Sequence, residues 1–528
     1  MLIFLLLLGA FLRLFNLGST PPPFVDEILN AIDIRSTIRT GRHYTGLPND
    51  ILGQITPFLD GRYFIHYSIG DSIGDYRLVS AVFGIATIYV VYLLGKELYD
   101  TTVALWAAAS LALLPWAIYY SRIAFTASEY VFATSCSLLF LILALRSKSL
   151  FLGMSCAASA ALSIYVYPVA IVSTPLLLGV VLVMLFKDVF RFPFRRAIAV
   201  IAFGVLLLLP YLWAHLSSRG HSATASLNQL VAGRLLWEQG LPLTTQFRTF
   251  ISNWSSFITP RYLFFSGDPN VRQSIQSMGE VGWSTTLLGL WGIIVCIKRG
   301  SVSDRLILLW LVVYPVASSL TFQNAYANSV QGSTGELPWI LLAAIGASAI
   351  VTTVRTNWRL IALGLTISSL VVQGTIFSII YFGSYNDRFG YAFEPASEYD
   401  QVVSVIRDAG LQNVEITSHS GYLRNLVLEY FSDYKVNVTS WYSSCSPLPY
   451  DVINYTPSPR LFVVNEGTSY NGYSNCVSPT SIASSDIHSL QSVGWHLRIL
   501  ADYPNSPGSA YRTVVIFATR SIRATSRS

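Results

Sequence analysis

Charged residues are scarce in this chain of 528 residues, in which Asp, Glu, Lys and Arg together make up 12% and hydrophobic residues 52%. Average proteins carry about 25% charged residues, and the mean hydropathy here is +0.50. These values exclude a soluble globular protein and indicate a polytopic membrane protein. The net charge of +6 is small, and Lys and Arg cluster at the ends of apolar runs, so nucleic acid is not an expected partner.

Several functional motifs are also missing. The sequence contains no internal repeat, Gly-rich phosphate loop, Walker motif or cluster of His and Cys at metal-ligand spacing. His43 and His66 are candidate metal ligands, but neither has a second ligand at a recognisable spacing, and exposed loop histidines explain them better. We therefore expect no metal and no cofactor.

Cysteine is rare, with five residues in the chain. Cys136, Cys156 and Cys296 fall in apolar helices and are most simply buried packing residues. Cys445 and Cys476 fall in a predicted outer domain, where an oxidising compartment allows a disulfide, and their pairing stays open.

Long apolar runs, by contrast, recur along the chain. Runs long enough to cross roughly 30 Å of hydrocarbon begin near residues 2, 78, 102, 125, 150, 169, 197, 284, 306, 338 and 359. We predict about eleven transmembrane helices, the first of them a retained span, because it lacks a basic leader and a small-residue cleavage site. The short connections on one side contain most of the Lys and Arg. Those on the other contain almost none except Arg122, which predicts a cytoplasmic N-terminus.

With this topology three long segments lie outside, at about 18–76, about 215–283 and after about 383. In the last of them, "YDQVVSVIRDAGLQNVEITS" and "RLFVVNEGTSY" are typical of a helix followed by a strand. We therefore predict a transmembrane domain over residues 1–382 and an extracytoplasmic soluble α/β domain over residues 383–528. Asn-x-Ser/Thr triplets on the same side begin at Asn253, Asn437 and Asn454.

The stretch "STPPPFVDEILNA" follows the first apolar run. Its three prolines hold the chain extended, and apolar residues at helical spacing after them predict a short amphipathic helix on the outer membrane surface. Asp26 and Glu27 then form its first turn. One interpretation is that they complement the helix dipole and cap the helix. The other is that one of them is a general base for an attacking hydroxyl, since helix neighbours point about 100° apart and cannot both face one atom.

An acidic pair after the first span resembles the GT-C superfamily of membrane glycosyltransferases. Within it, the sequence is similar to phospholipid carrier-dependent enzymes of the glycosyltransferase family 39 type, which are related to protein O-mannosyltransferases and aminoarabinose transferases. Five blocks carry the resemblance: "VDEILNAIDIRSTIRTGRHYTGLP", "YRLVSAVFG", "YYSRIAF", "SIYVYPVAIVSTPLLL" and "YLFFSGDPNVRQSIQSMGEVG".

This resemblance implies a polyprenyl-phosphate sugar as donor, an outward-facing active site in the cell membrane, and inversion at the anomeric carbon. Asp26 would be the general base that activates a hydroxyl of a protein, lipid or surface glycan. Glu27 would support Asp26 or orient the helix of the first loop.

The donor phosphate requires cations near the bilayer surface. Arg122 is the first candidate. The alternative is that its side chain extends to the lipid headgroups. The spacing of Arg122, Thr126 and Glu129 predicts one shared helix face, on which Glu129 pairs with Arg122 or lines the cavity.

Further donor-site candidates are Arg261, Asp268 and Arg272 in the large outer loop. The alternative is that "SGDPN" is only a turn signal. Tyr165 and Tyr167 are candidates for stacking on a sugar or binding phosphate, with an interfacial aromatic belt as the alternative.

The chain departs from the family pattern at His43, Pro168 and Ile171. These departures leave open a non-catalytic scaffold with the same fold. A secondary transporter is the alternative from another class, although transporters commonly show repeats and mid-membrane charges.

Overall fold

The computed structural model of the chain describes residues 1–43, 51–217, 235–321 and 327–389, together with five strands and a few single positions farther along. The chain forms two compact units. The first comprises Met1–Pro21 and Asp33–Ser384, and the second comprises Pro22–Ile32 and Tyr385–Ser528.

Helices dominate the described residues. They are α1 (Leu2–Leu14), α2 (Val25–Thr40), α3 (Ile51–Leu59), α4 (Arg62–Ser68), α5 (Ile73–Leu98), α6 (Thr101–Ala112), α7 (Pro115–Tyr120), α8 (Ala127–Ser147), α9 (Leu150–Val166), α10 (Ala170–Met184), α11 (Phe186–Arg191), α12 (Phe194–Ser217), α13 (Leu243–Ser256), α14 (Trp283–Arg299), α15 (Val302–Val313), α16 (Val316–Ser319), α17 (Glu336–Thr353), α18 (Arg359–Gly383) and α19 (Tyr385–Phe389).

Short polar side chains begin several of these helices. Ser72 accepts a hydrogen bond from the Asp75 amide at 3.2 Å, and Asp75 accepts one from the Ser72 amide at 3.0 Å, which forms a capping box at the start of α5. Asp100 accepts from the Val103 amide at 2.9 Å and begins α6. Gly300, with a φ of +63°, ends α14. Local sequence therefore sets these boundaries.

Each of the eleven predicted apolar runs coincides with a helix, as expected. Among the described residues, six helical segments are long and apolar enough to cross a membrane: Ile73–Leu98, Ala127–Ser147, Phe194–Ala214, Val302–Ser319, Ser333–Thr353 and Thr356–Gly383. Four further apolar helices, α1, α6, α9 and α10, are shorter. The protein is thus a multi-pass membrane protein, and the total of about eleven spans stays a prediction.

Close helix crossings form the core of the first unit. A Cβ atom added at Gly292 in α14 would lie 1.9 Å from the carbonyl oxygen of Leu342 in α17. A Cβ atom at Gly346 would lie 2.0 Å from the Leu288 carbonyl oxygen. Both distances are far below van der Waals contact, so glycine at both positions lets the two backbones touch.

The second unit contains a five-stranded mixed sheet. Its strands are β1 (Asn413–Ser418), β2 (Asn437–Tyr442), β3 (Arg460–Gly467), β4 (Trp495–Tyr503) and β5 (Tyr511–Arg520). Their order is β2-β1-β3-β5-β4, with β1 parallel to β2 and β3, and β5 antiparallel to β3 and β4. The strands predicted in "NVEITS" and "RLFVVN" are confirmed. The complete α/β domain stays a prediction, and Cys445, Cys476 and Asn454 lie outside the described residues.

The helix predicted after the three prolines is confirmed as α2. Its apolar residues were expected to face the membrane surface, and this expectation was wrong. Ile28, Ala31 and Ile32 are 0%, 1% and 2% exposed. They are buried by protein, because an apolar helix face gains the same burial from packed side chains as from lipid.

Candidate active site

The acidic pair divides between two roles at the start of α2. Asp26 is exposed, whereas Glu27 is 1% exposed. The Phe24 amide donates a hydrogen bond to Glu27 Oε2 at 3.0 Å, so Glu27 satisfies an amide at the open end of its own helix. Asp26, one residue earlier, remains accessible to solvent.

Arginines of the first unit fix the chain that leads toward this pair. Arg122 donates from Nη1 to the carbonyls of Leu12 and Arg13, both at 3.1 Å. From Nη2 it donates to those of Asn16 and Thr20, at 3.0 and 2.9 Å. The last carbonyls of a helix lack partners within the helix and carry partial negative charge. Arg122 therefore caps the end of α1.

Arg77 extends the same arrangement, because its Nη1 donates to the Leu17 carbonyl at 3.0 Å and to the Pro21 carbonyl at 2.9 Å. Both Arg77 and Arg122 are 0% exposed. Six backbone carbonyls of residues 12–21 thus accept hydrogen bonds from the side chains of Arg77 and Arg122. Arg77 was not singled out from the sequence, where only its place at the start of an apolar run was visible.

The expected helix face shared by Arg122, Thr126 and Glu129 was wrong. Helix α8 begins at Ala127, and Thr126 has a φ of +60°, so Arg122 lies before the helix. Because the left-handed residue turns the chain between them, Arg122 and Glu129 do not follow helical spacing. Ser80 Oγ donates to Glu129 Oε1 at 2.9 Å.

Glu129 interacts electrostatically with two other buried charges, Asp60 and Arg62, which were not predicted from the sequence. Arg62 Nε lies 3.2 Å from Asp60 Oδ2, and Arg62 Nη2 donates to the Ala124 carbonyl at 3.3 Å. Asp60, Arg62 and Glu129 are all at most 6% exposed. No hydrogen-bond partner lies within reach of Glu129 Oε2 among the described residues. Burial raises the pKa of Asp60, and the adjacent Arg62 charge opposes that rise.

Asp60 and Arg62 left a signal in the sequence. Opposite charges flank a glycine in "FLDGRYF", inside a segment predicted to be a loop. Such a turn predicts a local ion pair, but its burial depends on packing against α5 and on the carbonyl of Ala124, 62 positions away.

In the large loop, two carboxylates meet the same residue, Ser329. The Ser329 amide donates to Asp268 Oδ2 and its hydroxyl donates to Glu280 Oε1, both at 2.8 Å. The Asp268 amide also donates to Glu280 Oε1, at 3.0 Å. Burial raises the pKa of Asp268 to about 6, and burial together with the Asp268 charge raises that of Glu280 to about 8. Glu280 was not predicted from the sequence.

The two arginines of the large loop differ from the buried Arg77 and Arg122. Arg261 is exposed and Arg272 is half-buried. Tyr119 Oη donates to the Arg272 carbonyl at 2.5 Å, and Asn270 Oδ1 accepts from the Arg272 amide at 3.1 Å. These contacts hold the Arg272 backbone. Within the described part of the chain, neither guanidinium has an acidic or carbonyl partner.

Tyr165 and Tyr167 lie at the end of α9 and contact neighbouring helices. Tyr165 Oη donates to the Leu207 carbonyl at 2.9 Å, and its ring meets the edge of Tyr211 with centroids 5.7 Å apart. The Tyr167 and Tyr130 ring centroids are 5.3 Å apart. These contacts are with protein, and binding of sugar by either tyrosine stays a prediction.

The interpretation of His43 and His66 as exposed loop histidines was wrong, because His43 is 8% exposed and His66 is a half-buried residue of helix α4. His43 Nε2 lies 3.5 Å from Asp33 Oδ1, and His66 Nδ1 lies 2.9 Å from Tyr76 Oη. Burial lowers the pKa of His66. Across residues that the structure describes, no three His, Cys, Asp or Glu side chains are grouped to hold a metal ion.

Comparison with known proteins gives a similarity of fold and a similarity of sequence over one segment of the chain. The chain is similar to ArnT from Cupriavidus metallidurans bound to undecaprenyl phosphate, with 12% identity, a TM-score of 0.55 and coverage of 97% of both chains. It is similar to the apo state of the same protein, with 12% identity, a TM-score of 0.56 and coverage of 98% of this chain and 97% of the other. The chain thus shares the fold of ArnT.

Residues 63–215 match the family described as dolichyl-phosphate-mannose-protein mannosyltransferase. The resemblance predicted from the sequence is therefore confirmed. Three of the five sequence blocks lie in the matched segment, and the first-loop and large-loop blocks lie outside it. No curated protein matches the chain.

Proposed function

We propose that the protein is an inverting glycosyltransferase that moves one sugar from a polyprenyl-phosphate carrier to a hydroxyl acceptor at the outer face of the cell membrane. The main support is a fold shared over 97% of the chain with a protein bound to undecaprenyl phosphate. The family match supports the same donor class, because its description names a dolichyl-phosphate sugar. The acceptor is a protein, a lipid or a surface glycan.

The reaction is a single displacement. The acceptor oxygen forms a bond to the anomeric carbon while the bond from that carbon to the phosphate oxygen breaks, and the electron pair leaves with polyprenyl phosphate. Attack opposite the leaving phosphate inverts the anomeric centre. Asp26 takes the proton from the acceptor hydroxyl. Its exposure supports this role, and so does the hydrogen bond that commits the neighbouring Glu27 to the helix cap.

Arg272 and Arg261 are our candidates for binding the departing phosphate. Their guanidinium groups lack acidic partners among the described residues, and a planar donor fork matches a phosphate. Asp268 and Glu280 lie within the same loop and brace its backbone through Ser329. We therefore assign Asp268 to support of this loop.

Arg122 has a different role in this proposal. Its guanidinium group donates four hydrogen bonds to backbone carbonyls and so positions residues 12–20. Glu129, which retains one carboxylate oxygen without a described partner, is our candidate for accepting a hydrogen bond from a sugar hydroxyl.

The experiment uses purified protein in lipid nanodiscs with a panel of polyprenyl-phosphate sugars and cell-envelope extract as acceptor. Release of free polyprenyl phosphate with one donor, and a product of inverted anomeric configuration by NMR, is the expected result. A retained configuration would overturn the single displacement. Folded protein that releases nothing from any donor would favour the transporter or scaffold, and flux of the intact donor across proteoliposomes would then identify the transporter.

A further inference from the structure

Helix α13 (Leu243–Ser256) has an apolar face that no described residue covers. Leu243, Phe247 and Ile251 recur every four residues and are 81%, 67% and 44% exposed. Residues at this spacing lie on one side of an α-helix. The stripe is therefore a continuous apolar surface.

The opposite face of α13 is polar. Thr245, Arg248 and Ser252 are exposed there, roughly 100–160° around the helix from Phe247. A helix with one polar and one apolar face is suited to the boundary between water and hydrocarbon. An ordinary surface helix would instead bury its apolar face in the protein core.

Two side chains near the end of α13 attach it to the end of a membrane span. Asn253 is 3% exposed and donates from Nδ2 to the carbonyls of Ser319 and Thr321, at 3.3 and 3.0 Å. Trp254 Nε1 donates to the Val312 carbonyl at 2.9 Å. Ser319 ends the apolar segment Val302–Ser319. These bonds attach α13 to the Ser319 end of that apolar segment.

Its neighbouring turn, Leu236–Gln239, attaches at the same level. The Leu236 amide donates to the Leu320 carbonyl at 2.9 Å, and the adjacent Trp237 is 55% exposed. Tryptophan is enriched at membrane interfaces because its ring is apolar and its N–H is polar. An apolar stripe and an exposed tryptophan therefore meet at the level of the headgroups.

We propose that α13 is an interfacial helix whose stripe of Leu243, Phe247 and Ile251 is inserted into the lipid leaflet at the Ser319 end of the span. The partner is the bilayer surface itself. Val312, whose carbonyl accepts the hydrogen bond from Trp254, is itself 50% exposed on the apolar segment Val302–Ser319. An exposed apolar side chain of a span beside α13 supports lipid over a second copy of the chain. The Asn253 amide is committed to packing, so the Asn-x-Ser triplet there does not receive a glycan.

The test replaces Phe247 with the photocrosslinking residue p-benzoylphenylalanine in full-length protein in phosphatidylcholine nanodiscs. Thr245, exposed on the polar face two residues away, receives the same probe as the matched control. After irradiation, intact-protein mass spectrometry should show a lipid adduct several-fold more abundant for the Phe247 probe than for the Thr245 probe. Ile251 and Ser252 provide a second pair should one variant fold poorly.

Equal lipid adducts at both positions would overturn the proposal. A covalent dimer formed from the Phe247 and Ile251 probes in place of a lipid adduct would also overturn it and assign the stripe to a second copy. A protein adduct other than a dimer would assign the stripe to a protein partner. None of these outcomes depends on catalysis.

Discussion

At the scale of single residues, several buried side chains have partners that are distant in the chain. Arg122 was expected to be a lone outer cation, but it caps α1 from more than 100 positions away. Sequence shows the charge and its approximate depth. It does not show the carbonyls that receive the hydrogen bonds, because these depend on how two helices pack. The same limit hid Glu280, whose contacts depend on Ser329.

Comparing Arg122→Ala with Arg272→Ala separates positioning from phosphate binding. Arg122→Ala leaves four carbonyls without their donors, three of them buried, and each unsatisfied buried group costs about 1–3 kcal/mol. We expect a clear fall in the thermal unfolding midpoint. Arg272→Ala should leave that midpoint nearly unchanged and raise the donor KM. Both quantities are measurable in detergent and nanodiscs.

The opposite pattern would contradict these assignments. A stable Arg122→Ala protein with an increased donor KM would return Arg122 to the phosphate site, as first expected from its place among the outer connections.

The carboxyl groups of Asp268 and Glu280 predict that the stability of the fold depends on pH. Both pKa values lie above the ordinary carboxyl values, at about 6 and about 8. The folded state therefore holds protons that the unfolded chain releases from about pH 4 upward. Stability from this pair is complete below that pH and is lost as pH rises through about 8. Glu280→Gln should flatten the decline in thermal midpoint between about pH 5 and about pH 9.

Wild type and Glu280→Gln share all other titrating groups, so the difference between their two pH curves reports on Glu280. Parallel curves would contradict the prediction and show that Glu280 titrates alike in the folded and unfolded chains.

At the scale of elements, the sequence was most informative for the helices of the first unit. All eleven apolar runs form helices because each contains its own hydrophobic pattern, and many begin at a local cap such as Ser72. Helix α2 was predicted as an element, but its environment was not. An amphipathic pattern is the same whether protein or lipid covers it, so burial of Ile28 needed the structure.

Glycine substitutions test the crossing of α14 and α17. Gly292→Ala places a methyl group against the Leu342 carbonyl and should force the helices apart, which lowers the thermal midpoint. Gly364→Ala in α18 is the matched control, because nothing lies within 4 Å of its added Cβ. Alanine there should be neutral or stabilising by up to about 1 kcal/mol.

Thermal unfolding of both variants in the same detergent gives the comparison. An unchanged midpoint for Gly292→Ala, together with a normal response at Gly364, would show that the two helices do not approach as closely as described.

At the scale of the whole molecule, a fold shared over 97% of the chain persists at 12% identity. Hydrophobic spans and a few buried polar contacts are sufficient to define such a fold, since lipid-facing positions accept any apolar residue. The class of protein was therefore predictable from its pattern and motif blocks. The sugar and the acceptor of the proposed reaction were not, because the departures from the family pattern at His43, Pro168 and Ile171 prevent a transfer of substrate specificity from the family.

The most direct measurement compares Asp26→Asn with Asp387→Asn in the nanodisc assay for release of polyprenyl phosphate. Both aspartates are exposed in the first turn of a helix, so the second variant controls for charge and local structure. Loss of a general base costs about 10²–10⁴ in rate. The account predicts a loss of at least about 100-fold for Asp26→Asn, with an unchanged thermal midpoint, and wild-type release for Asp387→Asn. Wild-type turnover by Asp26→Asn would contradict Asp26 as the base.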